Sequence, residues 1–230
     1  MHRRVLIVFV DALGPLQLEA AGGFGGLPYR GQLRGILGYS CGALPTLLTG
    51  APPARHGRMC LFAHAPQGEG VLAPLALLGL LPRVVHERGR LRRFAARMLA
   101  RQARLTGYLE LYRVPPELFR WLDVPEREDL FAAERIGGCE TFLSAARRAG
   151  LRVFAAPWQV PEAQRWEHTE TVLREQRPDV AFAYATELDG ALHRRGNDSA
   201  EARLALQRIN ARIQRAGEAM RVGGGEVSTI

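Results

Sequence analysis

The sequence predicts an α/β fold: a mostly parallel central sheet with helices on both faces and an inserted helical cap. Three observations carry this. Two apolar runs, Arg4 to Val10 (RVLIVFV) and Pro178 to Thr186 (PDVAFAYAT), lack the alternation of a half-exposed strand and suit strands buried on both faces. From Glu140 onward, helical and strand-like stretches alternate, which is the grammar of parallel βα units. Between 71 and 131 the character shifts to apolar, arginine-rich and proline-interrupted pieces. The expected division is a core of residues 1–70 and 132–230, with 71–131 as the cap.

In chain order, the first strand ends at Val10 and delivers Asp11 to the carboxyl rim of the sheet, where open α/β folds bind ligands. A turn at Gly14-Pro15 and a short helical pattern through Leu16, Leu18 and Ala21 follow, then a loop over Gly22 to Gly26. Gly38-Tyr39-Ser40-Cys41-Gly42 forms a glycine-lined bend that feeds a short helix through Leu44, Leu47 and Leu48, closed by Thr49-Gly50. In the cap, Val71 to Leu81 is apolar but too short to span a bilayer, and Arg83 to Arg104 reads as one basic helix. Two placements fit that helix: an anionic membrane surface, or a cap packed on the core that offers Arg88 or Arg92 to substrate. Trp121 anchors the irregular stretch from Tyr108 to Phe131. Beyond it come a helix through Phe142, Leu143 and Ala146, a strand over Leu151 to Ala156, a helix from Trp166 to Gln176, and the second buried strand. A long helix from Asp198 to Arg221 carries Leu204, Leu206, Ile209 and Ile213 on its sheet-facing stripe.

Three of these pieces carry chemistry. Ser40, at the start of a helix, sits where unpaired N–H groups and the positive end of the dipole face an anion. Asp11 can hold a metal. Asp189 and His193 lie four residues apart just past the second strand, so one turn of helix puts an oxygen and an imidazole nitrogen on one side, a pairing suited to zinc. The same residues also suit plain structural roles: an N-cap for Ser40, a turn cap for Asp11, a surface ion pair for Asp189 and His193. The window G-x-S-x-G at Ser40 further admits the nucleophile elbow of an α/β-hydrolase-type serine esterase. Cys41 reads as a packed thiol and His56 as a residue that positions its loop.

Their joint order, a strand ending in Asp11, a hydroxyl helix with Thr49-Gly50, Pro53 and His56-Gly57, and a later Asp189-x-x-x-His193, resembles the alkaline phosphatase superfamily. The similar branch is the type I phosphodiesterase/nucleotide pyrophosphatase group. The resemblance implies a phosphate-ester hydrolase with a Ser40 nucleophile and two divalent cations, zinc favoured. Asp11 and Ser40 would ligate one, Asp189 and His193 the other. That family completes its metal pair with a later Asp-His dipeptide and a further histidine, whereas His193 is the last histidine here and Val222 to Ile230 reads only as the start of the strand that would carry the dipeptide. The resemblance therefore implies a core truncated before that motif, and a catalytically inactive paralogue or binding module is the alternative. The nucleotide pyrophosphatase branch also places an Asn a few residues past the His-Gly, where this chain has Met59-Cys60-Leu61.

Composition bounds the rest. A 230-residue chain with 47% hydrophobic and 23% charged residues can bury a core, which excludes wholesale disorder. The net charge of +8 comes from arginine alone, without lysine, a bias of base composition that gives no specific nucleic-acid signal. Arginine does suit an anionic phosphate-ester small molecule as partner. Cys41, Cys60 and Cys139 lack CxxC spacing and fit reduced thiols. The apolar run after His2, Arg3 and Arg4 is too short for a signal peptide, so it is read as a core strand and the expected location is cytoplasmic.

Overall fold

The computed structural model describes residues 3–20, 22–24, 27, 31, 33, 35–36, 39–222, 224 and 226–230. The expected glycines at 25, 26 and 38, Ala21, and the stretch from Arg30 to Leu37 apart from 31, 33, 35 and 36, lie outside them. In order, the elements are β1 (Arg3–Val10), α1 (Pro15–Ala20), α2 (Ser40–Thr49), α3 (Pro53–His56), β2 (Ala63–His64), a 3-10 helix (Ala73–Leu80), α4 (Arg83–His86) and α5 (Gly89–Gln102). A second 3-10 helix (Pro116–Trp121), β3 (Leu122–Asp123), β4 (Arg135–Ile136), β5 (Cys139–Glu140) and α6 (Phe142–Arg148) follow. The chain continues through β6 (Val153–Ala155), α7 (Glu162–Glu175), β7 (Val180–Ala185), α8 (Glu187–Arg195), α9 (Ala200–Arg221) and β8 (Glu226–Thr229). They form two compact units, residues 1–34 with 143–230, and residues 35–142. The division thus falls before the Ser40 helix, whereas the sequence placed the boundaries at 71 and 131.

The fold class is α/β. In the first unit a four-stranded, all-parallel sheet runs in the order β6-β7-β1-β8. Register sets its two faces: Leu6, Val8 and Val10 lie opposite Ala181, Ala183 and Ala185 on one, and Ile7 and Phe9 lie opposite Phe182 and Tyr184 on the other. On the first face the alanines leave room for α7, α8 and α9, whose Trp166, Leu173, Leu188, Ile209 and Met220 join Leu6 in one core. The second face is covered too, because Phe182 is wholly buried. At the amino end, Arg152 holds the buried Asp179 through its backbone N–H (2.8 Å) and its guanidinium (3.2 Å to Oδ1), so that carboxylate is neutralised.

Helix α9 shows why the sheet-facing stripe had to be corrected. Ser199 caps it by accepting from the Ala202 N–H at 3.1 Å, and Ala202, Ala205, Leu206, Ile209, Ile213 and Ala216 are buried at helical spacing. Leu204 is exposed instead. It stands two residues from Leu206, about 200° around a 3.6-residue turn, so the two cannot share a face. Helix α7 begins four residues earlier than expected, at Glu162, because Pro161 starts it and its first turn is polar.

In the second unit the basic stretch is not one helix. Arg88 is extended, and the break before Gly89 separates α4 from α5. The aromatic anchor is Phe119, fully buried in a core with Leu72, Leu111 and Val124. Trp121 is partly exposed and stacks on His64 with ring centroids 6.4 Å apart. Among the described residues, no helix is long and apolar enough to cross a membrane.

Candidate functional site at the carboxyl rim

Parallel pairing of β1 and β7 brings their carboxyl ends side by side. The Asp11 N–H donates to the Ala185 carbonyl at 2.9 Å, which extends the ladder one residue past Val10 and anchors the buried aspartate at the rim. Ala12 then adopts a positive φ of 60°, a left-handed turn that costs a non-glycine residue about 1 kcal/mol or more. Tyr184, one register step from the rim, donates its hydroxyl to Asp11 Oδ2 at 2.6 Å. Burial, then the negative charge of Asp11, push the Tyr184 phenol far above its ordinary value, with Asp189 adding to the effect. It therefore stays a donor throughout the accessible pH range.

Thr186 ends β7 and starts α8, the helix that carries Asp189 and His193 on one side, with His193 Nε2 3.3 Å from Asp189 Oδ1. Asp189 is raised by burial first and by Asp11 next, with His193 pulling the other way. Asp189 therefore feels the charge of Asp11, and no described arginine neutralises it. His193 is 80% exposed, a position from which its ring can rotate.

The start of α8 is fixed from α7. Glu162 Oε2 accepts from the Thr186 N–H at 2.9 Å and from its hydroxyl at 2.8 Å. Arg212 reaches Glu162 at 3.3 Å and Glu187 at 2.7 Å. Arg165, almost wholly buried, donates to the Trp158 carbonyl at 3.0 Å and to Thr186 Oγ1 at 3.3 Å, while its Nε has no partner among the described residues. Its charge is felt by Tyr184, so the guanidinium lies close beneath the rim. Sequence reasoning missed Tyr184, Glu162 and Arg165. Tyr184 passed as another apolar strand residue, and only the β1–β7 register could have shown it facing Asp11.

Ser40 belongs to the second unit. It is the first residue of α2, partly buried, and the N-cap position falls to Tyr39, whose side chain makes no capping bond. Among the described residues, the non-glycine ones with positive φ are Ala12, Arg104, Tyr112 and Arg177, so Ser40 lacks the strained backbone of a nucleophile elbow. Helix α2 ends at Gly50, whose φ of 66° lets its N–H reach the Thr46 carbonyl.

His56 holds α2 to α3, as expected of a residue that positions its loop. Its Nδ1 accepts from the Arg58 N–H at 3.1 Å, so Nε2 carries the proton and donates to Thr46 Oγ1 at 2.9 Å; the threonine hydroxyl passes on to the Gly42 carbonyl at 2.9 Å. Burial and the neighbouring Arg58 lower its pKa, in keeping with a neutral ring. Gly137 packs so closely that a Cβ there would stand 2.1 Å from the His56 carbonyl oxygen. The Cys41 thiol lies 3.7 Å from the Met59 carbonyl and is pushed up by burial. Near it, burial raises Glu126 to about 7 against the opposing pull of the Tyr108 N–H and Arg58.

Arg92, expected to offer its charge to substrate, is buried and directs it elsewhere. Its donors reach the carbonyls of His86 (2.9 Å), Tyr112 and Val114 (both 2.8 Å), closing the chain back on α5. For metal binding, Asp11, Asp189 and His193 are the oxygen and nitrogen donors at this rim, and a divalent cation there would offset the charge of Asp11 that Asp189 feels. Among the described residues, no three His, Cys, Asp or Glu side chains converge at metal-binding spacing, and that includes Asp11, Asp189 and His193 as they stand.

The sequence matches no protein-family model and no curated protein.

Proposed function

We propose that the chain is the core of a metal-dependent hydrolase of phosphate esters, of the phosphodiesterase or phosphatase type, with Ser40 as nucleophile. One observation carries this reading: the parallel pairing of β1 with β7 brings Asp11 and the first turn of α8, which holds Asp189, to the same carboxyl rim, where the charge of Asp11 bears on Asp189 and no described arginine neutralises it. Asp179, at the opposite end of the sheet, is by contrast fully paired with Arg152. Asp11 and Asp189, joined by His193 on rotation of its ring, would hold a divalent cation, zinc favoured. Such a cation lowers the pKa of a bound hydroxyl and offsets charge on a phosphate ester.

The chain's own residues divide the remaining work. Tyr184 orients the Asp11 carboxylate. Glu162 sets the start of α8 and so the angle at which Asp189 and His193 approach the rim. Ser40, in the first turn of α2, has the positive end of that helix beside it, which favours an attacking oxygen in its ionised form and an anionic ester next to it. The anionic substrate and the cytoplasmic setting belong to the same proposal.

A second reading has its own support. The exposed imidazole and the absence of three converging donors among the described residues favour a binding module that takes a phosphate ester without cleaving it. Zinc-supplemented turnover of bis(p-nitrophenyl) phosphate and p-nitrophenyl phosphate separates the two. The hydrolase reading expects turnover that falls by more than about a hundredfold in Ser40→Ala and in Asp11→Asn. Binding of the ester without turnover supports the module, and turnover undiminished in Ser40→Ala removes the serine from its role.

A further inference from the structure

The positive charge of the chain is concentrated. Residues 83–104 contain eight arginines against a single acid, Glu87, for a net +7 out of +8 for all 230 residues. A bias of base composition would spread arginine along the chain without removing acids from one segment. Helix α5 contains no Asp or Glu, and the one acid of the segment 83–104, Glu87, is taken by Arg83 at 2.6 Å.

The structure sorts these side chains onto faces. Helix α5 buries Arg92, Ala96 and Leu99, which leaves Arg90, Arg93, Phe94, Arg97, Met98 and Arg101 on its outer face. Phe94 is 55% and Met98 50% exposed. Two large apolar side chains thus stand among the arginines on the outer face, although Leu99 of the same helix is turned into the core. The α4 turn, in contact with both α5 and the 3-10 helix 73–80, adds Val84 at 69% exposure, and the 3-10 helix adds Leu77 at 67% and Leu80 at 83%. One region of the second unit therefore combines exposed apolar side chains with a row of arginines, and Arg92 ties the exposed Tyr112 to its border.

We infer that this face, α5 with α4 and the 3-10 helix 73–80, docks on an anionic lipid membrane surface. The charge identifies the partner as anionic. The apolar side chains distinguish lipid from nucleic acid: of Leu77, Leu80, Val84, Phe94 and Met98 only one is aromatic, whereas a nucleic-acid surface uses rings on which bases stack. A 14-residue helix is about 21 Å long and lies in the interfacial plane with its apolar residues among the acyl chains and its arginines at the headgroups. The inference is independent of the hydrolase proposal, since none of these residues belongs to the carboxyl rim or to α2.

Co-sedimentation of the full chain tests it, with vesicles of phosphatidylcholine alone and of phosphatidylcholine containing about one third phosphatidylglycerol, at about 0.1 M salt. The protein is expected to sediment with the anionic vesicles and stay in solution with the neutral ones. The exposed-face variants Phe94→Ser/Met98→Ser and Arg93→Glu/Arg97→Glu/Arg101→Glu should each weaken binding by at least about tenfold. Circular dichroism confirms that these variants stay folded, as changes on an exposed face allow. No binding to anionic vesicles overturns the inference. So does tighter binding to single-stranded RNA together with vesicle binding that Phe94→Ser/Met98→Ser leaves unchanged.

Discussion

Tyr184 decides how Asp11 presents its carboxylate. Its hydroxyl is a donor held 2.6 Å from Oδ2, and a hydrogen bond to a charged acceptor contributes more than one between neutral groups. Tyr184→Phe keeps the ring packed on Phe9 and removes only that bond, so the urea midpoint should fall by the equivalent of about 1–3 kcal/mol. An unchanged midpoint would mean that the contact contributes nothing. Glu126 gives a second test at this scale. Its folded pKa of about 7 lies above the ordinary 4.5, so across that window the folded chain keeps a proton that the unfolded chain has lost. Stability from this group is therefore present at low pH and is lost as pH rises through about 7. Glu126→Gln should remove that slope in a pH series of thermal melts and raise stability at pH 8 by on the order of 2 kcal/mol. At the residue scale the placement of Asp11 after a strand, and of Asp189 and His193 on one side of a helix, was legible in the sequence, because strand ends and helical spacing are local patterns. Tyr184 was not legible, since its role follows from the pairing of strands about 170 residues apart.

At the scale of elements, α8 is positioned by a side chain from α7 and not by its own cap. Glu162 bonds both polar groups of Thr186 and meets Arg165 and Arg212, all of them largely buried. Glu162→Ala would leave the buried Arg165 guanidinium without its carboxylate, while Arg212 keeps Glu187, and chemical denaturation should register a loss of about 3–5 kcal/mol. Glu162→Gln keeps part of the cap and should lose less; equal losses would show that capping is not what matters. In the second unit, His56→Ala breaks the relay through Thr46 to Gly42 and should cost about 2–4 kcal/mol in the same measurement. The strands and the long helix were readable in sequence because their apolar periods are strong. The split of the basic segment at Arg88-Gly89 and the early start of α7 were not, because polar first turns carry no apolar period. The exposed Leu204 follows simply from counting residues around the helix.

For the whole molecule, the parallel sheet explains why two distant aspartates share a rim, and the two-unit division explains why Ser40 travels with the segment read as an insertion. That division was hidden from the sequence, because a boundary is set by which segments pack together and the glycine-rich stretch before Ser40 has no period of its own. The charge pattern was visible in sequence, but its meaning depends on Phe94 and Met98 pointing outward, which only the packing of α5 on the 3-10 helix core reveals. The central claim is that Asp11 and Asp189 form a divalent-cation site. Calorimetric titration with zinc tests it most directly. Binding by the full chain should weaken by at least about tenfold in both Asp11→Asn and Asp189→Asn and stay unchanged in Asp179→Asn, the paired carboxylate at the other end of the sheet. Binding that is absent, or equally tight in all four proteins, would contradict it.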